Sequence, residues 1–462
     1  MLTNQRTIRE HSPLGEQFAA APRSVFAQGC ARLYNRSAMR ILVIGSGGRE
    51  HAICWKLKQS PRASHLYCAP GHAGISKIAT CVPVKVNDAA SLAALAESIG
   101  ADLTVIGPEA PLVAGVSEAF RARALRMVGP SANAAQLEGS KIFAKQFMAR
   151  HGIPTARFKA CDSPDQARAA RKSEFEFPIV VKADGLAAGK GVRITSNEDE
   201  FDDAINAMMV EGVFGGAGSR VVLEECLFGR EASLMIFTDG RDYKAIVPAQ
   251  DYKRVSDGDR GPNTGGMGSF STPGLIDDAM LARITREIVE PTLVGMASEG
   301  NPFSGILYTG LMFTSDGPRV IEYNARLGDP ETQAVMTRLD SDLVEVFDSI
   351  IEARIGSTSI TWSDDSSVCV VAASGGYPGE FEKGKPINGL DKAKGIDGAV
   401  VFHAGTALDD QGRFISSGGR VLGVTGRGNT LEEARGRTYQ AMSLISFEGC
   451  HYRSDIAQNI NS

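Results

Sequence analysis

Short apolar runs alternate with glycine turns and helical stretches in the first third of the chain. The run Arg40–Ile44 leads into Gly45–Gly48, after which apolar residues recur at three- and four-residue spacing in a predicted helix. Leu103–Ile106 and Val128 also pass directly into turns that contain glycine and proline. Strand, turn and helix in this order predict a doubly wound parallel sheet. Because ligands bind at the carboxyl ends of such strands, the three turns should line one crevice.

The rest of the chain reads as a strand-rich middle and a shorter mixed unit. Its 462 residues fit about three domains at roughly 150 residues each. We predict helices near 133–155, 275–300 and 431–446, and strands at 179–182, 221–225, 232–237, 305–313, 319–324, 368–373, 399–402 and 421–424. The expected class is α/β and α+β multidomain: a disordered leader (1–38), an N-terminal doubly wound domain (39–140), a central domain pair (141–365, lid about 160–230) and a small C-terminal mixed α/β domain (366–462).

Composition narrows the class of protein. The formal net charge is −5 and the pI about 5.9, which argues against a basic nucleic-acid binder. Eight cysteines show neither a C-x-x-C pair nor zinc-ligand spacing, which indicates reduced thiols. No apolar stretch reaches the 18 or more residues typical of a membrane span. We therefore expect a cytoplasmic protein with no nucleic-acid or membrane partner. Composition does not fix the oligomeric state, for which we expect a monomer.

Residues 1–38 differ from the chain that follows. They contain five arginines against two glutamates and lack a periodic apolar pattern. A disordered leader upstream of Met39 is one interpretation, and an organellar targeting segment is the other. The weak amphipathic pattern favours the leader.

A glycine-rich loop with two lysines is the first candidate site. Lys182 ends an apolar strand, and the following loop contains Gly185, Gly189, Lys190 and Gly191. Backbone N–H groups of such loops can bind phosphate oxygens, and glycine permits the close approach. The loop is not a Walker A motif, because glycine stands where Ser or Thr should hold magnesium. A flexible hairpin is the alternative, but paired lysines favour phosphate binding.

The segment 320–326 is the candidate metal site. Strand alternation predicts that Val320, Glu322 and Asn324 share one face, while Ile321, Tyr323 and Ala325 pack on the other. A carboxylate beside an amide oxygen suits Mg²⁺, which prefers oxygen ligands and shares its shell with ATP phosphates. One step further, Arg326 can neutralise charge on a transferring phosphoryl group. A solvated sheet face is the alternative.

Three weaker patterns accompany these two. Glu224, Glu225 and Glu231 follow an apolar strand and could hold adenine and ribose, although surface acids at strand ends are common. The loop 261–268 has four glycines and could wrap a ligand, or be a linker. The turn 45–51 resembles a dinucleotide fingerprint whose third glycine is replaced by glutamate, although a phosphate could still bind at the helix N-terminus.

Taken in order, these segments resemble the phosphoribosylamine–glycine ligases, a family of the ATP-grasp superfamily. The resemblance runs from about Met39 to the C-terminus. It rests on the motifs GSGGREHA, APGHAG, GPEAPLVAGV, GPSANAAQLEGSK, VKADGLAAGKGV, LEECLFGREAS, QDYKRV, GPNTGGMG, GLM, VIEYNARLGDPETQ and GGYPG.

The resemblance implies an activity. The glycine carboxylate would attack the γ-phosphate of ATP to give glycyl phosphate and ADP, and the amine of 5-phosphoribosylamine would then displace phosphate. It also implies a central ATP-grasp domain pair and Mg²⁺ or Mn²⁺ as cofactor. Many ATP-grasp enzymes carry a further acidic metal ligand where this chain has Gly310–Met312, so another acid or water must complete the shell.

The resemblance further implies roles for individual residues. Lys182 and Arg326 would be catalytic, and Glu322 and Asn324 would bind the metal. ATP would contact Lys141, Lys182, Gly185, Gly189, Lys190, Gly191, Glu224, Glu225, Cys226, Leu227 and Glu231. The sugar phosphate and glycine would contact Gly47, Gly48, Arg49, Glu50, Glu109, Asp251, Lys253, Asn263, Thr264, Gly265, Gly266, Met267, Arg326 and Asp329.

Three alternatives stay open. A related ATP-grasp ligase with another acceptor would share the phosphoryl-transfer half of the site. An NAD-dependent dehydrogenase built on the turn at 45–51 is disfavoured by the missing glycine and by the lack of a clear acid about 20 residues further on. A catalytically inactive nucleotide-binding module is disfavoured because the full set of lysines, carboxylates and arginine is present.

Overall fold

The computed structural model describes residues 38–187 and 191–458. Gly189 and Lys190 of the predicted phosphate loop, and the leader up to residue 37, lie outside the described residues. Across the described parts of the chain, no helix combines the length and apolar character needed to cross a membrane. The seven cysteines in those parts are free thiols.

The N-terminal region forms the predicted parallel sheet. Its strand order is β3-β2-β1-β4-β5, so the chain reverses direction of winding between β1 and β4. The carboxyl ends of β1 and β4 therefore lie side by side at the crevice. The elements are β1 (Met39–Gly45), α1 (Gly48–Leu57), β2 (Ala63–Pro70), β3 (Thr80–Cys81), α2 (Ala89–Ser98), β4 (Leu103–Ile106), α3 (Glu109–Val113), α4 (Val116–Arg121) and β5 (Met127–Val128).

Two short helices, α5 (Gln136–Gly139) and α6 (Lys141–Arg150), replace the single helix predicted near 133–155. Ser140 between them has an extended backbone, and its hydroxyl accepts a hydrogen bond from the backbone N–H of Phe143. A serine that caps the next helix in this way ends the preceding one. The break places Lys141 at the first position of α6.

An antiparallel sheet of order β6-β9-β7-β8 follows. Its apolar core includes Phe201 and Leu223, both fully buried. The sheet carries Lys182 near the end of β7 and Glu224 near the end of β9. The elements are β6 (Phe158–Cys161), α7 (Pro164–Glu174), β7 (Ile179–Ala183), β8 (Val192–Thr195), α8 (Glu198–Ile205) and β9 (Val221–Glu225), with a π turn at Asn206–Val210 and a 3₁₀ turn at Gly215–Gly218.

A second antiparallel sheet, of order β11-β10-β16-β17, forms the other wall of the central region. The predicted loop 261–268 is partly wrong, because β14 pairs with β13 in a hairpin. The elements are β10 (Arg230–Asp239), β11 (Tyr243–Ala245), β12 (Gln250–Asp251), β13 (Arg254–Ser256), β14 (Arg260–Asn263), β15 (Gly268–Ser271), α9 (Asp278–Ile284), a π turn (Thr285–Val289), α10 (Glu290–Ser298), β16 (Ser304–Thr314) and β17 (Gly317–Asn324).

The C-terminal region completes a mixed α/β unit. Its sheet has the order β12-β15-β18-β22-β19, so two strands from the central region join it and tie the two regions together. The predicted fold class is confirmed. The remaining elements along the chain are α11 (Glu331–Arg338), α12 (Leu343–Ile351), β18 (Ser366–Ala373), α13 (Leu390–Lys394), β19 (Ala399–His403), β20 (Thr406–Leu408), β21 (Phe414–Ser416), β22 (Arg420–Gly428) and α14 (Leu431–Ser443), with a 3₁₀ turn at Ile355–Ser357. A further 3₁₀ turn, Ile75–Lys77, lies between β2 and β3 of the N-terminal region.

Candidate active site

One cavity of about 850 Å³ lies where these regions meet, and most of the predicted site residues line it. Its walls come from the N-terminal region, both central sheets and the start of β22, so no single region could form it. The predicted residues on its wall are Arg49, Glu109, Lys141, Lys182, Gly185, Gly191, Glu224, Glu225, Cys226, Leu227, Glu231, Asp251, Lys253, Asn263, Thr264, Gly265, Glu322, Asn324, Arg326 and Asp329.

Five predicted substrate contacts lie outside this wall, namely Gly47, Gly48, Glu50, Gly266 and Met267. The buried carboxylate of Glu50 accepts hydrogen bonds from the backbone of Gly47 and from Arg49 Nε. It fills the space beside Gly45 and Gly107, where a Cβ atom would collide with it. Met267 is fully buried. Glu50 therefore supports the glycine turn from within the protein.

At one end of the cavity, two lysines enclose the carboxylate of Glu224. Its side chain is 3% exposed, with Lys145 Nζ at 2.7 Å from one oxygen and Lys182 Nζ at 2.9 Å from the other. Lys182 also donates to the carbonyl of Ile321 at 3.1 Å, and Lys145 to the hydroxyl of Thr155 at 2.7 Å. Both oxygens are thus engaged, so the predicted contact of this carboxylate with ATP must compete with two ion pairs.

Glu224 and the two lysines favour the ionised forms of one another. Burial opposes ionisation of Glu224, but Lys145 and Lys182 outweigh it and lower the pKa of that carboxyl. Burial lowers the pKa of Lys145 to about 8, although Glu224 acts in the opposite direction. One carboxylate and two ammonium groups leave an excess positive charge, which suits phosphate oxygens.

Lys141 lies beside this cluster at the start of α6. Its Nζ donates to the carbonyl of Gly185 at 3.0 Å, which links α6 to the described part of the glycine loop. Asp184 accepts hydrogen bonds from the hydroxyl of Ser140 at 2.8 Å and from the backbone of Ile142 at 3.1 Å. Burial lowers the pKa of Lys141. The loop that follows β7 is therefore held against the first turn of α6.

At the other end of the cavity, two carboxylates enclose the guanidinium of Arg326. Glu109 lies 3.1 Å from Nε, and Glu138 lies 2.9 Å from Nη2. The second oxygen of Glu138 accepts the backbone N–H of Ala325 at 2.7 Å. Arg326 Nη2 also lies 3.4 Å from the side-chain oxygen of Asn324.

Burial and neighbouring charges shift the pKa values of these two carboxyls in opposite directions. Burial, together with the negative charge of Glu109, raises the pKa of Glu138 to about 7 against the opposing effect of Arg326. Burial also acts on Glu109, but Arg326 and Arg49 outweigh it and lower its pKa to about 2. Above about pH 7, where both carboxyls are ionised, the three groups carry an excess negative charge, in contrast to the Glu224 cluster.

A β-bulge shapes the strand that carries the predicted metal ligands. Gly310 pairs with Glu322 and Leu311 pairs with Val320, which leaves Ile321 without a partner on β16. A bulge inserts an extra residue and shifts the side-chain alternation. The carbonyl of Ile321 is thereby available to Lys182.

The bulge makes part of the predicted alternation wrong. Val320 does not share a face with the two predicted metal ligands, because it packs in the hydrophobic core beside Tyr323 and Ala325. Ile321, expected to pack on that side, lines the cavity instead. Period-two reasoning holds only for an unbroken ladder, and it fails at the inserted residue.

Lys253 lies between the strand that carries the predicted metal ligands and the neighbouring acids. Its Nζ lies 3.5 Å from Glu231 and 3.6 Å from Glu322. Burial opposes its charge, but the surrounding acids Asp251, Glu231 and Glu322 outweigh it and raise the pKa of Lys253. Burial raises the pKa of Asp251 to about 7. The cluster holds more negative than positive groups, as a cation site requires.

The donor set fits a hard divalent cation. Glu322 and Asn324 offer a carboxylate and an amide oxygen on the cavity wall, with Glu231 on the neighbouring Lys253 cluster. Among the described residues, no group of three or more His, Cys, Asp or Glu is arranged to hold a metal by itself. A site that shares its shell with ATP phosphates needs only one or two protein oxygens.

Several polar residues on the cavity wall were not among the predicted site residues, including Glu138, Lys145, Tyr308 and Arg420. Lys145 lies four residues after Lys141, and this spacing on a helix could have predicted a shared face. Arg420, at the start of β22, donates to the carbonyls of Gly265 and Asp329. No motif near Arg420 indicates that contact, because only the tertiary fold brings β22 to the cavity.

Family models match nearly all of the described chain. The N domain of phosphoribosylglycinamide synthetase matches residues 39–138, its ATP-grasp (A) domain 139–332 and its C domain 367–459. The chain belongs to the phosphoribosylglycinamide synthetase family. It is therefore an ADP-forming carbon–nitrogen ligase with an ATP-grasp domain, which confirms the predicted family and enzyme class.

Individual relatives agree with the family. The phosphoribosylamine–glycine ligase of Brucella melitensis is 49% identical over 418 residues, covering 90% of this chain and 97% of the relative. That of Caldanaerobacter subterraneus is 46% identical and covers 91% and 99%. The crystal structure of the Thermotoga maritima phosphoribosylamine–glycine ligase has a TM-score of 0.78 at 36% identity, covering 90% and 99%.

A more distant structure shares the fold of this family. The biotin carboxylase domain of the Hydrogenobacter thermophilus 2-oxoglutarate carboxylase has a TM-score of 0.70 at 16% identity, covering 90% of this chain and 92% of that one. At this identity the likeness concerns the fold alone.

Proposed function

We propose that this chain joins glycine to 5-phosphoribosylamine at the expense of ATP. In this proposal the Glu224 end of the cavity binds ATP, and the Arg326 end binds glycine and the transferring group. A glycine carboxylate oxygen attacks the γ-phosphorus of ATP, the bond to the β,γ-bridging oxygen breaks, and ADP leaves. The amine nitrogen of 5-phosphoribosylamine then attacks the carbonyl carbon of glycyl phosphate. The carbon–oxygen bond to phosphate breaks, the nitrogen loses a proton to solvent, and glycinamide ribonucleotide forms.

The Glu224 end is assigned to ATP. The proposal is supported by the excess positive charge of Lys145, Lys182 and Glu224, and by the contact of Lys141 with the loop after β7. Ammonium groups held in fixed positions stabilise charge on phosphate oxygens without having to reorganise. Cys226 and Leu227 are assigned to adenine through their backbone groups, and Glu231 to the ribose.

The Arg326 end is assigned to glycine and to the transferring group. A zwitterion carries both charges, so an arginine flanked by carboxylates can meet its carboxylate and its ammonium group together. Glu109 and Arg326 line the cavity within 3.1 Å of each other, which supports this assignment. Positioning of the two reactants provides most of the rate enhancement in such a reaction, and no covalent nucleophile is needed.

The phosphoribosyl group is assigned to the remaining predicted contacts: Arg49, Asp251, Lys253, Asn263, Thr264, Gly265 and Asp329. Glu322 and Asn324 are assigned to Mg²⁺ or Mn²⁺. When bound, the cation would neutralise charge on the ATP phosphates. The oxygen donors on the cavity wall support this choice.

The proposed reaction is tested by product formation. Purified protein receives Mg-ATP and glycine, with and without 5-phosphoribosylamine generated in situ, and ADP and glycinamide ribonucleotide are quantified. We expect both products in stoichiometric amounts only when all three substrates are present. ADP formation without glycinamide ribonucleotide, or with a different carboxylate or acceptor, would move the chain to a related ATP-grasp ligase.

A further inference from the structure

The carboxylate of Glu138, on the cavity wall, makes two contacts with the segment that carries Arg326. One oxygen pairs with Arg326 at 2.9 Å, and the other accepts the backbone N–H of Ala325 at 2.7 Å. The side chain is 6% exposed. A single buried group therefore holds both the guanidinium of Arg326 and the backbone just before it.

We propose that Glu138 is a positioning residue for the ligation reaction, acting through Arg326. The inference rests on the proposed function, in which Arg326 meets the reacting groups. An arginine side chain has many rotamers, and fixing it before substrate binds removes an entropic cost from the reaction. Glu109 contacts only Nε, and the Leu327 carbonyl at 3.2 Å from Nη1 and the Asn324 amide oxygen at 3.4 Å from Nη2 are longer contacts with neutral groups. Glu138 therefore provides the short, charged contact at the end of the guanidinium.

Glu138 also lies close in the chain to a lysine of the ATP end. Two residues separate it from Lys141, which donates to Gly185. Between them, the hydroxyl of Ser140 donates to Asp184 at 2.8 Å. The segment 138–141 therefore contacts Arg326 through Glu138 and also contains Lys141, a lysine of the ATP end. A fixed distance between these charges is what a phosphoryl transfer between two bound substrates requires.

Steady-state kinetics of Glu138→Gln and Glu138→Ala test the role. At pH 8, we expect kcat to fall about 10-fold in Glu138→Gln, whose amide oxygen can still accept the Ala325 N–H, and about 100-fold in Glu138→Ala. The KM for ATP should change less than twofold in both variants. Glu118→Gln is the matched control, because Glu118 also accepts a backbone N–H, from Ala132 at 2.9 Å, but is exposed and outside the cavity wall.

A double-mutant cycle separates positioning from a general structural role. Arg326→Lys keeps a positive charge but cannot reach both carboxylates in the same way. If Glu138 acts through Arg326, adding Glu138→Gln to Arg326→Lys should lower kcat less than twofold further. A structural role would instead lower kcat by the same factor in both backgrounds, together with the thermal unfolding midpoint.

The outcomes distinguish the two proposals. If the unmodified protein forms no glycinamide ribonucleotide, the proposed function fails. If it does, but Glu138→Gln behaves as Glu118→Gln does, the positioning role is wrong. Additive effects in the cycle would also overturn it. If a Glu138 variant unfolds at the assay temperature, the double-mutant cycle is repeated with Glu138→Asp, whose shorter side chain cannot bridge both contacts. Non-additive effects in this cycle would support the positioning role, and additive effects would overturn it.

Discussion

The two ends of the cavity use opposite arrangements of charge. At one end a single carboxylate, Glu224, lies between Lys145 and Lys182, whereas at the other a single guanidinium, Arg326, lies between Glu109 and Glu138. The Glu224 cluster is buried, whereas Arg326 and Glu109 are partly exposed, and both clusters are held by backbone contacts. The first carries an excess positive charge, and the second carries an excess negative charge once Glu138 is ionised.

The difference explains how one cavity can accept unlike substrates. Phosphate groups are attracted to the positive cluster, and the ammonium group of an amino acid to the negative one. Burial strengthens both preferences, because charges interact more strongly away from water. In the proposed reaction, this polarity would orient the substrates before any chemical step.

Loss of the carboxylate between the two ends should have the largest effect. We expect Glu322→Ala to lower kcat about 1000-fold or more, because it removes an oxygen proposed to bind the cation and a partner of Lys253. Circular dichroism and thermal unfolding should be close to those of the unmodified protein. Glu432→Ala, at an exposed position on α14, is the control. Normal turnover of Glu322→Ala would remove the cation assignment.

Breaking the positive cluster should destabilise the protein. Glu224→Ala leaves two buried lysines without their carboxylate, and we expect a loss of about 3 kcal/mol in the free energy of unfolding. Urea denaturation at pH 7 measures it. Glu225→Ala is the matched neighbour, because its carboxylate is 36% exposed and lies 3.8 Å from Arg157, so it should cost less than about 1 kcal/mol. Equal losses in the two variants would show that the cluster has no special stability.

Most of the fold could be predicted, because it depends on local periodicity. The strand at Met39–Gly45 and the helix after it follow from an apolar run, a glycine turn and helical spacing. The break at Ser140 was missed because a serine inside a helical pattern is ambiguous until its capping contact is known. The predicted domain limits at 140 and 365, and the lid near 160–230, stay predictions.

The candidate site could be predicted only where its residues lie in motifs. Lys182, Glu322 and Arg326 stand in distinctive runs of sequence, and all three lie on the cavity wall. Arg420 reaches the same wall from a strand far along the chain, and the bulge at Ile321 depends on pairing with β16. Neither follows from local sequence, because both depend on which elements pack together.

The smallest expected effect is a pH dependence of the free energy of unfolding, which arises from Glu138 at the Arg326 end. Burial raises the folded pKa of Glu138 to about 7, above the ordinary value of roughly 4.3. The folded state therefore binds more protons than the unfolded state in this window, so this group favours folding at low pH and loses that contribution as pH rises. Urea denaturation gives the free energy of unfolding of Glu138→Gln minus that of the unmodified protein. This difference should increase by about 2 kcal/mol from pH 5 to pH 8.

Glu109→Gln is the control for this linkage, because Glu109 pairs with the same guanidinium but has its pKa lowered to about 2. Its own contribution to stability is present above its unfolded pKa and is lost only as pH falls toward 2. Because the charge of Glu109 also helps raise the pKa of Glu138, the difference between Glu109→Gln and the unmodified protein should increase between pH 5 and pH 8, but by less than for Glu138→Gln. A flat result for Glu138→Gln would mean that Arg326 fully offsets the burial of that carboxylate. An increase would mean that the ionised form of Glu138 is kept at a cost in stability, as expected when a charge is retained for function.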